Sequence, residues 1–283
     1  MAEQFRRRKF AKAAVRRFMP GESVEDAFRA AHDFARGGLG TVFTELGERV
    51  TNAAESDVVR DHYLSVLDRI QSENVPTHVS VKLTHLGMEI DRDSCIARVS
   101  ELAKRAQDIG SYFWIDMEES NYVDATLDIY RAVRAKYEKV GLCLQAYLRR
   151  TPADVENLLK IRPSIRLVKG AYREPPEVAY PKKKDTDAAF FDLSLQLMQG
   201  GAFTVIGTHD TGLIARIRER APNNDYEIHM LYGIQADAQR ALAASGAKVR
   251  VLISYGTHWY PWYVRRLAER PANVWFVVKN MLK

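Results

Sequence analysis

Two adjacent arginines near the end of the chain, Arg265 and Arg266, are the residues whose types and spacing most strongly suggest chemistry. Neighbouring guanidinium groups repel each other and are costly to desolvate, so the pair favours an anionic ligand, and the forked donors suit a carboxylate. Glu269 follows Arg265 by four residues and Arg266 by three, so on a helix it shares their face and can orient one of them. A solvent-exposed basic face is the alternative interpretation.

The position of this segment favours ligand binding. It follows the apolar run Lys248–Gly256, which has the character of a strand. In α/β proteins, ligands bind beyond the C-terminal ends of the strands. We therefore expect the arginine pair to border a binding site.

Eight short apolar runs alternate with amphipathic stretches along the chain. The runs are Gly40–Leu46, Thr77–Thr84, Ser111–Glu118, Gly141–Leu148, Ile165–Tyr172, Phe203–Asp210, Tyr226–Gly233 and Val249–Gly256. The helical stretches include Ala54–Ser72, Ser94–Asp108, Tyr122–Lys139, Pro152–Ile161 (with Thr151 as its predicted N-cap), Thr186–Gln199 and Ala236–Ala244. This alternation predicts an α/β protein with a (β/α)8 TIM-like barrel. An open doubly wound sheet is the alternative, but the early glycine cluster Gly37–Gly40 precedes a strand instead of following one.

Composition indicates an ordinary globular protein. The chain has 283 residues, of which 46% are hydrophobic and 28% charged, and no apolar run approaches the length of a membrane span. We predict a basic helical extension at residues 1–37 and one barrel domain at residues 38–283. Cys95 and Cys143 lie in unrelated surroundings, so we expect no disulfide, no bound metal and a cytoplasmic location.

The net charge of +6 is concentrated at the N-terminus, where residues 1–17 hold seven basic residues and one acid, Glu3. A solvated basic helix, a membrane-surface contact and an organelle transit peptide are the competing interpretations. No nucleic-acid-binding module is recognisable, so we expect no nucleic-acid partner.

Polar or charged residues lie at or near the ends of the predicted strands. They are Glu45, Lys82, Asp116, Gln145, Arg166, Lys169, Tyr172, Thr208, His209, Asp210, Glu227 and His229. Lys82 and Asp116 are conspicuous because a charge within a strand is costly unless it is paired, and they could pair with each other. The excess of cations favours a small carboxylate, a phosphate-bearing cofactor, or both. A Schiff-base enzyme using Lys82 or Lys169 is an alternative.

The motifs of this chain resemble those of the proline dehydrogenase family. IRLVKGAY, GTHD, MLYG and YGTHWYPWYVRRLAERPAN occur in that order near successive strand ends, and VSVKLTHLG, WIDMEES and LQAYLRRTPAD match earlier segments. The resemblance runs from about Gly38 to the C-terminus and is greatest to the small monofunctional bacterial form. It implies a distorted (β/α)8 barrel holding FAD at its C-terminal mouth. It also implies oxidation of L-proline to Δ1-pyrroline-5-carboxylate, with electrons passed to a quinone at the inner face of a membrane.

The resemblance implies roles for individual residues. Arg265 and Arg266 correspond to the clamp for the substrate carboxylate, Glu269 to the acid that orients the clamp, and Leu231 to an apolar wall. The catalytic positions correspond to Lys82, Asp116, Arg166 and Tyr172. The cofactor-binding positions correspond to Asp116, Gln145, Arg166, Lys169, Gly170, Ala171, Thr208 and His209.

The chain departs from the family pattern at three positions. Leu252 replaces a tyrosine expected against the substrate ring, which predicts weaker proline binding or acceptance of a substituted ring such as hydroxyproline. Tyr255 cannot replace that tyrosine, because strand alternation directs it to the opposite face. His229 stands where glutamine is usual, and we predict that it contacts the cofactor. Arg173 could hold the cofactor's phosphates or ribose, or lie in solvent.

Two functions outside this class remain alternatives. One is a flavin-free barrel lyase that forms a Schiff base with its substrate. The other is a relative that binds a carboxylate ligand without turnover.

Overall fold

Eight parallel strands close into a barrel, which confirms the predicted (β/α)8 fold class. The computed structural model describes residues 17–222 and 225–259. The strands are β1 (Gly40–Glu45), β2 (Thr77–Val81), β3 (Phe113–Ile115), β4 (Val140–Gln145), β5 (Ser164–Val168), β6 (Phe203–Gly207), β7 (Tyr226–Leu231) and β8 (Lys248–Tyr255). Each strand pairs with the next in parallel, and β8 closes the barrel by pairing with β1 from Gly40↔Arg250 to Glu45↔Tyr255.

Helices cover the outside of the barrel. They are α1 (Val24–Arg36), α2 (Ala53–Glu73), α3 (Arg92–Asp108), α4 (Val123–Arg134), α5 (Thr151–Leu159), α6 (Lys183–Gln199), α7 (Thr211–Arg220) and α8 (Ala236–Ala244). Two short 3₁₀ helices, Leu83–Leu86 and Ser120–Tyr122, follow β2 and β3. Within the described ranges, no helix is both long and apolar enough to cross a membrane.

Side-chain caps begin several of these helices. Ser23 and Asp26 form a reciprocal capping box at the start of α1. Asn52 caps α2 and Asp91 caps α3 by accepting hydrogen bonds from backbone N–H groups of the first turn. The N-cap prediction at Thr151 is wrong, because α5 begins at Thr151 itself and its hydroxyl donates to the backbone oxygen of Gln145 (2.6 Å).

Strand alternation divides the buried apolar residues into two layers. The larger layer lies between barrel and helices. It includes Phe43, Tyr63, Phe113, Ile115 and Leu167. A smaller cluster of Val42, Trp114 and Val205 faces the barrel interior, with Tyr112, Phe203 and Leu252 against it.

All eight predicted strands exist, and each ends earlier than predicted. β2 ends at Val81 and β3 at Ile115, so Lys82 and Asp116 lie immediately beyond their strands and not inside them. β5 ends at Val168, which places Lys169 and the following three residues in a loop. The C-terminal end of a barrel strand is a position where charge is less costly than in the strand interior, because it opens toward the mouth.

The described part of the N-terminal extension packs onto the barrel. Phe18 and Met19 are buried, and the Phe28 ring of α1 meets Phe43 of β1 edge to face, with 5.1 Å between centroids. The boundary between extension and barrel at residue 38 remains a prediction. Cys95 and Cys143 are both buried and free, and burial raises the pKa of the Cys95 thiol to about 12.

We predict that Gly141→Ala destabilises the barrel. A Cβ atom at Gly141 on β4 would lie 2.3 Å from ring carbons of Trp114, which is fully buried. Overpacking of this kind costs about 1–3 kcal/mol in the free energy of unfolding, measurable by urea denaturation. Gly212→Ala is the matched control, because its Cβ would meet only Asp210 Oδ1 at 3.6 Å. Equal stability of the two variants would contradict the prediction.

Candidate active site

The candidate site lies at the C-terminal mouth of the barrel, where inward-facing positions of the strands converge. Alternation places Thr44, Lys82, Asp116, Gln145, Gly207, Leu231 and Ser254 at the inner edge of this mouth. The structure therefore brings together several of the predicted residues from strands far apart in sequence. Arg265, Arg266 and Glu269 lie outside the described residues.

An ion pair with a buried guanidinium joins β5 to the residue that follows β3. The guanidinium of Arg166, whose side chain is 3% exposed, contacts the carboxylate of Asp116 through Nη2. The same Nη2 donates to the hydroxyl of Ser80 (2.8 Å), and that hydroxyl donates to Asp116 Oδ1 (2.7 Å). These three residues, which we call the Arg166 triad, hold one another in place.

Two further side chains support the Arg166 triad. The Arg166 guanidinium lies over the ring of Trp114, 5.4 Å from its centroid. Tyr63 OH donates to the backbone oxygen of Ser80 (3.1 Å), which fixes β2 from outside the barrel. Burial alone would lower the pKa of Arg166, but the Asp116 carboxylate and the Cys143 thiol outweigh burial and raise it. Arg166 is therefore a permanent positive charge in the barrel.

The predicted alternative in which Lys82 and Asp116 pair with each other is wrong. Asp116 pairs with Arg166, whereas Lys82 Nζ lies 3.9 Å from Glu48 Oε1 in the loop after β1. The Lys82 side chain is 11% exposed, so it lines the mouth instead of projecting into solvent.

Glu118 is a buried carboxyl near Lys82 that the sequence analysis missed. It accepts hydrogen bonds from the backbone N–H (3.1 Å) and the hydroxyl (2.6 Å) of Thr84. Burial raises its pKa to about 7, with the Thr84 hydrogen bonds and Lys82 opposing the rise. The sequence did contain a signal for Glu118, because this acid follows Asp116 by two residues.

Lys169 forms a two-carboxylate network at the rim. Its Nζ donates to Asp187 Oδ1 (2.5 Å) and to Asp210 Oδ2 (2.9 Å). Asp210 is also the N-cap of α7. Burial would raise the pKa of Asp210, but the hydrogen bond from Lys169 and that from the Leu213 N–H lower it to about 2. Its carboxylate is therefore ionised at neutral pH.

The loop after Lys169 contains the other predicted cofactor positions of β5. Gly170 has φ +116°, and a Cβ there would lie 2.2 Å from the Tyr147 ring, so this position requires glycine. Ala171 and Arg173 are exposed and Tyr172 is half-buried. These residues of the loop are thus at least partly exposed.

Thr208 and His209 follow β6 directly. Thr208 is buried, and its hydroxyl accepts from the Asp210 N–H (3.2 Å). His209 Nε2 accepts from the Leu231 N–H (3.3 Å), which ties β6 to β7 beside the mouth. Leu231 itself is half-buried.

His229 lies deeper in the barrel than the rim residues. It shares a hydrogen bond with Glu227 Oε2 (3.0 Å), which also accepts from Arg250 Nε (2.9 Å). Burial lowers the pKa of His229 to about 4, so the imidazole is neutral and donates to Glu227. Burial would raise the pKa of Glu227, but His229 and Arg250 lower it well below its ordinary value.

His78, Glu227 and His229 carry possible ligand atoms within 4.8 Å of one another and are the metal-capable group found among the described residues. The Arg250 guanidinium already donates to the Glu227 carboxylate, and His78 Nδ1 accepts a hydrogen bond from Trp114 Nε1 (3.3 Å). These contacts account for the group as a polar cluster at the barrel floor.

Leu252 faces the barrel interior, where it contacts the Val42, Trp114 and Val205 cluster. Tyr255 faces outward, with its ring 6.1 Å from Phe43 and its hydroxyl 2.9 Å from His62 Nε2. The prediction that Tyr255 cannot take the place of an inward tyrosine at position 252 is thus confirmed. The interior wall at Leu252 is apolar.

The inward-facing residues fit a ligand that both donates and accepts hydrogen bonds. Among the described residues, the buried atoms Gln145 Oε1, Arg166 Nη1 and His229 Nδ1 have no hydrogen-bond partner. Buried polar groups are normally paired, so these atoms suit a bound group with a polar edge. The pyrimidine edge of a flavin offers both donors and acceptors.

A (β/α)8 barrel with a buried guanidinium–carboxylate pair and two lysines at its C-terminal mouth has the architecture of a barrel enzyme. A family model described as Proline dehydrogenase matches residues 27–279. The chain therefore belongs to the proline dehydrogenase family, and its class is that of an oxidoreductase.

Two relatives that match over nearly their full length support the family assignment. Proline dehydrogenase 1 of Bacillus subtilis subsp. natto is 35% identical over 97% of this chain and 94% of its own length. The proline dehydrogenase of Deinococcus radiodurans is 36% identical over 99% of this chain and 94% of its own length.

Solved structures share the fold. Proline utilization A (PutA) from Bdellovibrio bacteriovorus, inactivated by N-propargylglycine, superposes with a TM-score of 0.82 at 21% identity. The match covers 90% of this chain and 32% of the PutA chain. A PutA variant from Bradyrhizobium japonicum gives a TM-score of 0.75 at 24% identity, covering 89% and 30%. This chain thus spans about a third of those proteins.

Glu118 makes stability depend on pH. Its folded pKa of about 7 exceeds the ordinary 4.5, so its stabilising contribution is present below about pH 4.5 and is lost as pH rises through about 7. The full loss is about 3.5 kcal/mol at about 1.4 kcal/mol per pKa unit, and about 2.5 kcal/mol of it falls between pH 5 and pH 8. Glu118→Gln removes this titration.

We predict that the free energy of unfolding of Glu118→Gln, relative to that of the wild type, rises by about 2.5 kcal/mol between pH 5 and pH 8. Urea denaturation at each pH measures this difference. Glu156→Gln, at an exposed position, controls for the loss of one negative charge. A difference between Glu118→Gln and wild type that stays constant over this range would contradict the prediction.

Proposed function

We propose that this protein is an FAD-dependent proline dehydrogenase that oxidises L-proline to Δ1-pyrroline-5-carboxylate and passes the electrons to a membrane quinone. The observation that carries this proposal is the Arg166 triad, a buried and paired guanidinium at the mouth of a barrel of this family. The curated relatives of similar length are named as proline dehydrogenases.

FAD, when bound, supplies the ring system that accepts the two electrons. We propose that Gln145 and Arg166 contact the flavin ring, because their buried Oε1 and Nη1 atoms have no hydrogen-bond partner among the described residues. Asp116 would hold the Arg166 guanidinium in place. His229 is proposed to accept a hydrogen bond from the cofactor through Nδ1 of its neutral imidazole, since this atom also has no hydrogen-bond partner among the described residues.

The rest of the cofactor is proposed to lie along the rim. Thr208 and His209 follow β6, and Gly170 and Ala171 lie in the loop after β5. Lys169 is proposed to contact the phosphate chain, where a phosphate would join or replace Asp187 and Asp210 as its anionic partner. Arg173 is exposed, so it remains open to the phosphates or to solvent.

The substrate is proposed to bind at the C-terminal mouth of the barrel. Arg265 and Arg266 would clamp the carboxylate and Glu269 would orient them. Lys82 and Tyr172 would line the site, and Leu231 and Leu252 would form its apolar walls. Two forked cations fix an amino acid in one orientation, which is a proximity contribution to the rate.

Oxidation of proline to the imine removes two electrons, one C–H hydrogen and one N–H proton. Asp116 is held by Arg166 and Ser80, so it is poorly placed to act as a base. We propose that the proton of the amine leaves to solvent and that the site selects the neutral amine.

Oxidation of a substituted proline such as hydroxyproline is the second candidate. The supporting observation is Leu252, which presents an aliphatic side chain to the barrel interior. A leucine there leaves more room beside a substrate ring than a tyrosine would.

Anaerobic titration of the yellow, FAD-loaded protein tests this proposal. We expect L-proline to bleach the visible flavin absorbance. We expect Arg266→Met to raise the half-saturating concentration of L-proline roughly tenfold or more, because a charge-assisted contact with the substrate carboxylate is lost. Arg270→Met is the matched control.

Other outcomes of this titration would contradict the proposal. Bleaching by trans-4-hydroxy-L-proline alone would transfer the assignment to the substituted ring. A protein that cannot be loaded with FAD and is trapped by borohydride with a carbonyl substrate would establish the Schiff-base alternative. Binding of proline without bleaching would indicate a non-catalytic carboxylate binder.

Quinone reduction requires contact with a membrane surface. The basic residues within 1–17 would attract anionic lipids, at up to about 1 kcal/mol for each residue near the surface. We predict that deleting residues 1–16 reduces co-sedimentation with anionic vesicles at least fivefold, and leaves binding to neutral vesicles unchanged. Unaltered binding to anionic vesicles would contradict the proposal that these basic residues contact a membrane surface.

A further inference from the structure

Two buried hydroxyl groups lie on neighbouring strands at the C-terminal mouth of the barrel. Thr44 on β1 and Ser254 on β8 are partners in the parallel register, so their side chains point to the same face of the sheet. Val42 and Leu252, two residues earlier on the same strands, belong to the interior cluster, which identifies this face as the inner one. The two hydroxyls are therefore part of the inner wall of the mouth.

Both hydroxyls lack hydrogen bonds. Thr44 and Ser254 are 5% and 1% exposed, and their hydroxyl oxygens have no hydrogen-bond partner in the part of the chain that the structure describes. Thr44 lies near the phenol of Tyr63, but that phenol already donates its proton to the Ser80 backbone oxygen (3.1 Å). A buried polar group without a partner is costly, so two of them side by side indicate a group that binds there.

An apolar pair adjoins the hydroxyl pair on the same wall. Leu252 is the register partner of Leu231 on β7, and both side chains are half-buried. The inner wall thus presents two aliphatic side chains and, next to them, two hydroxyls. Such a wall matches a small ring that is apolar along one edge and carries one polar substituent.

The chemistry of the hydroxyl pair favours a neutral hydroxyl as its ligand. A serine or threonine hydroxyl can donate one hydrogen bond and accept two, and a ligand hydroxyl has the same capacity. The ligand can therefore donate to one side chain and accept from the other. A carboxylate or phosphate would be bound better by the cations at the mouth, Lys82 and Lys169.

The hydroxyl pair lies opposite the residues that are proposed to contact the flavin. Gln145 is on β4 and Arg166 is on β5. In the closed order of eight strands, β4 and β5 are across the barrel from β8 and β1. A substrate ring between these two walls has the cofactor residues on one side and the hydroxyl pair on the other.

We propose that Thr44 and Ser254 form a subsite for the ring hydroxyl of a hydroxylated cyclic amino acid such as 4-hydroxyproline. This subsite rests on the proposed function, and it supplies the residues that recognise a substituted ring in the second candidate reaction. Leu252 leaves room for the substituent, and the two hydroxyls bind it.

Binding of non-oxidisable ligands tests the subsite without turnover. Cyclopentanecarboxylate and the cis and trans isomers of 3-hydroxycyclopentanecarboxylate differ only in the hydroxyl. Isothermal titration calorimetry of the full-length protein gives their Kd values. We expect Thr44→Val and Ser254→Ala each to raise the Kd of the better-bound hydroxylated isomer at least threefold, because one neutral hydrogen bond is lost. The Kd of cyclopentanecarboxylate should stay within twofold of the wild-type value.

Stability distinguishes a ligand-binding role from a structural one. Because the two hydroxyls have no partner to lose, Thr44→Val and Ser254→Ala should keep or raise the midpoint of urea unfolding. Thr204→Val is the matched control, since Thr204 is fully buried on β6 and its hydroxyl donates to the Ala202 backbone oxygen (3.1 Å). This control should lower the midpoint and leave all three Kd values within twofold.

Three results would overturn the subsite. The first is an unchanged ratio of the Kd of the hydroxylated ligand to that of cyclopentanecarboxylate in both Thr44→Val and Ser254→Ala. The second is a wild-type protein that binds both hydroxylated isomers more than tenfold more weakly than cyclopentanecarboxylate, or not at all. The third is a lower midpoint of unfolding in both variants. If L-proline does not reduce the wild-type flavin, the proposed function fails, whereas the comparison of Kd values still tests the subsite.

Discussion

Closure of eight parallel strands is the constraint on which the rest of the structure depends. A closed barrel has no free edge, and alternate residues of every strand must face an interior that admits little water. Any charge at those positions has to find its partner on another strand. Arg166 on β5 meets Asp116 after β3 and Ser80 on β2, and Glu227 on β7 meets Arg250 on β8.

The two inward ionic groups lie next to the Trp114 ring, and each keeps one nitrogen, Arg166 Nη1 or His229 Nδ1, without a hydrogen-bond partner in the described part of the chain. At the floor, Glu227 receives both a guanidinium and an imidazole donor, and His78 is bonded to the Trp114 indole. Near the mouth, Arg166 retains Nη1 without a hydrogen-bond partner in the described part of the chain. A buried ion pair contributes little net stability once desolvation is counted. The unpaired nitrogens are therefore better explained by a ligand than by stability.

The sequence was sufficient for the fold but not for the pairing of the site. Period-two alternation predicted correctly that Tyr255 faces away from the interior, and it also places Ser80 on the same face as Lys82. The predicted strands end too late in the sequence, because polar residues beyond the hydrogen-bonded region continue the same alternation. The pairing of Asp116 with Arg166 and of Lys82 with Glu48 could not be predicted, since it depends on the stagger of strands that closure fixes.

The N-terminal extension shows a further limit of reading domains from composition. Its first residues are strongly basic, which suggests a separate segment, yet Phe28 packs on Phe43 and Phe18 and Met19 are buried. A segment that contributes apolar side chains to the core unfolds with that core, because their burial is lost only when both separate. Glu22, which is half-buried, follows these residues and contacts the exit from β8. The described part of the extension is therefore coupled to the end of β8 at Gly256 and Trp259.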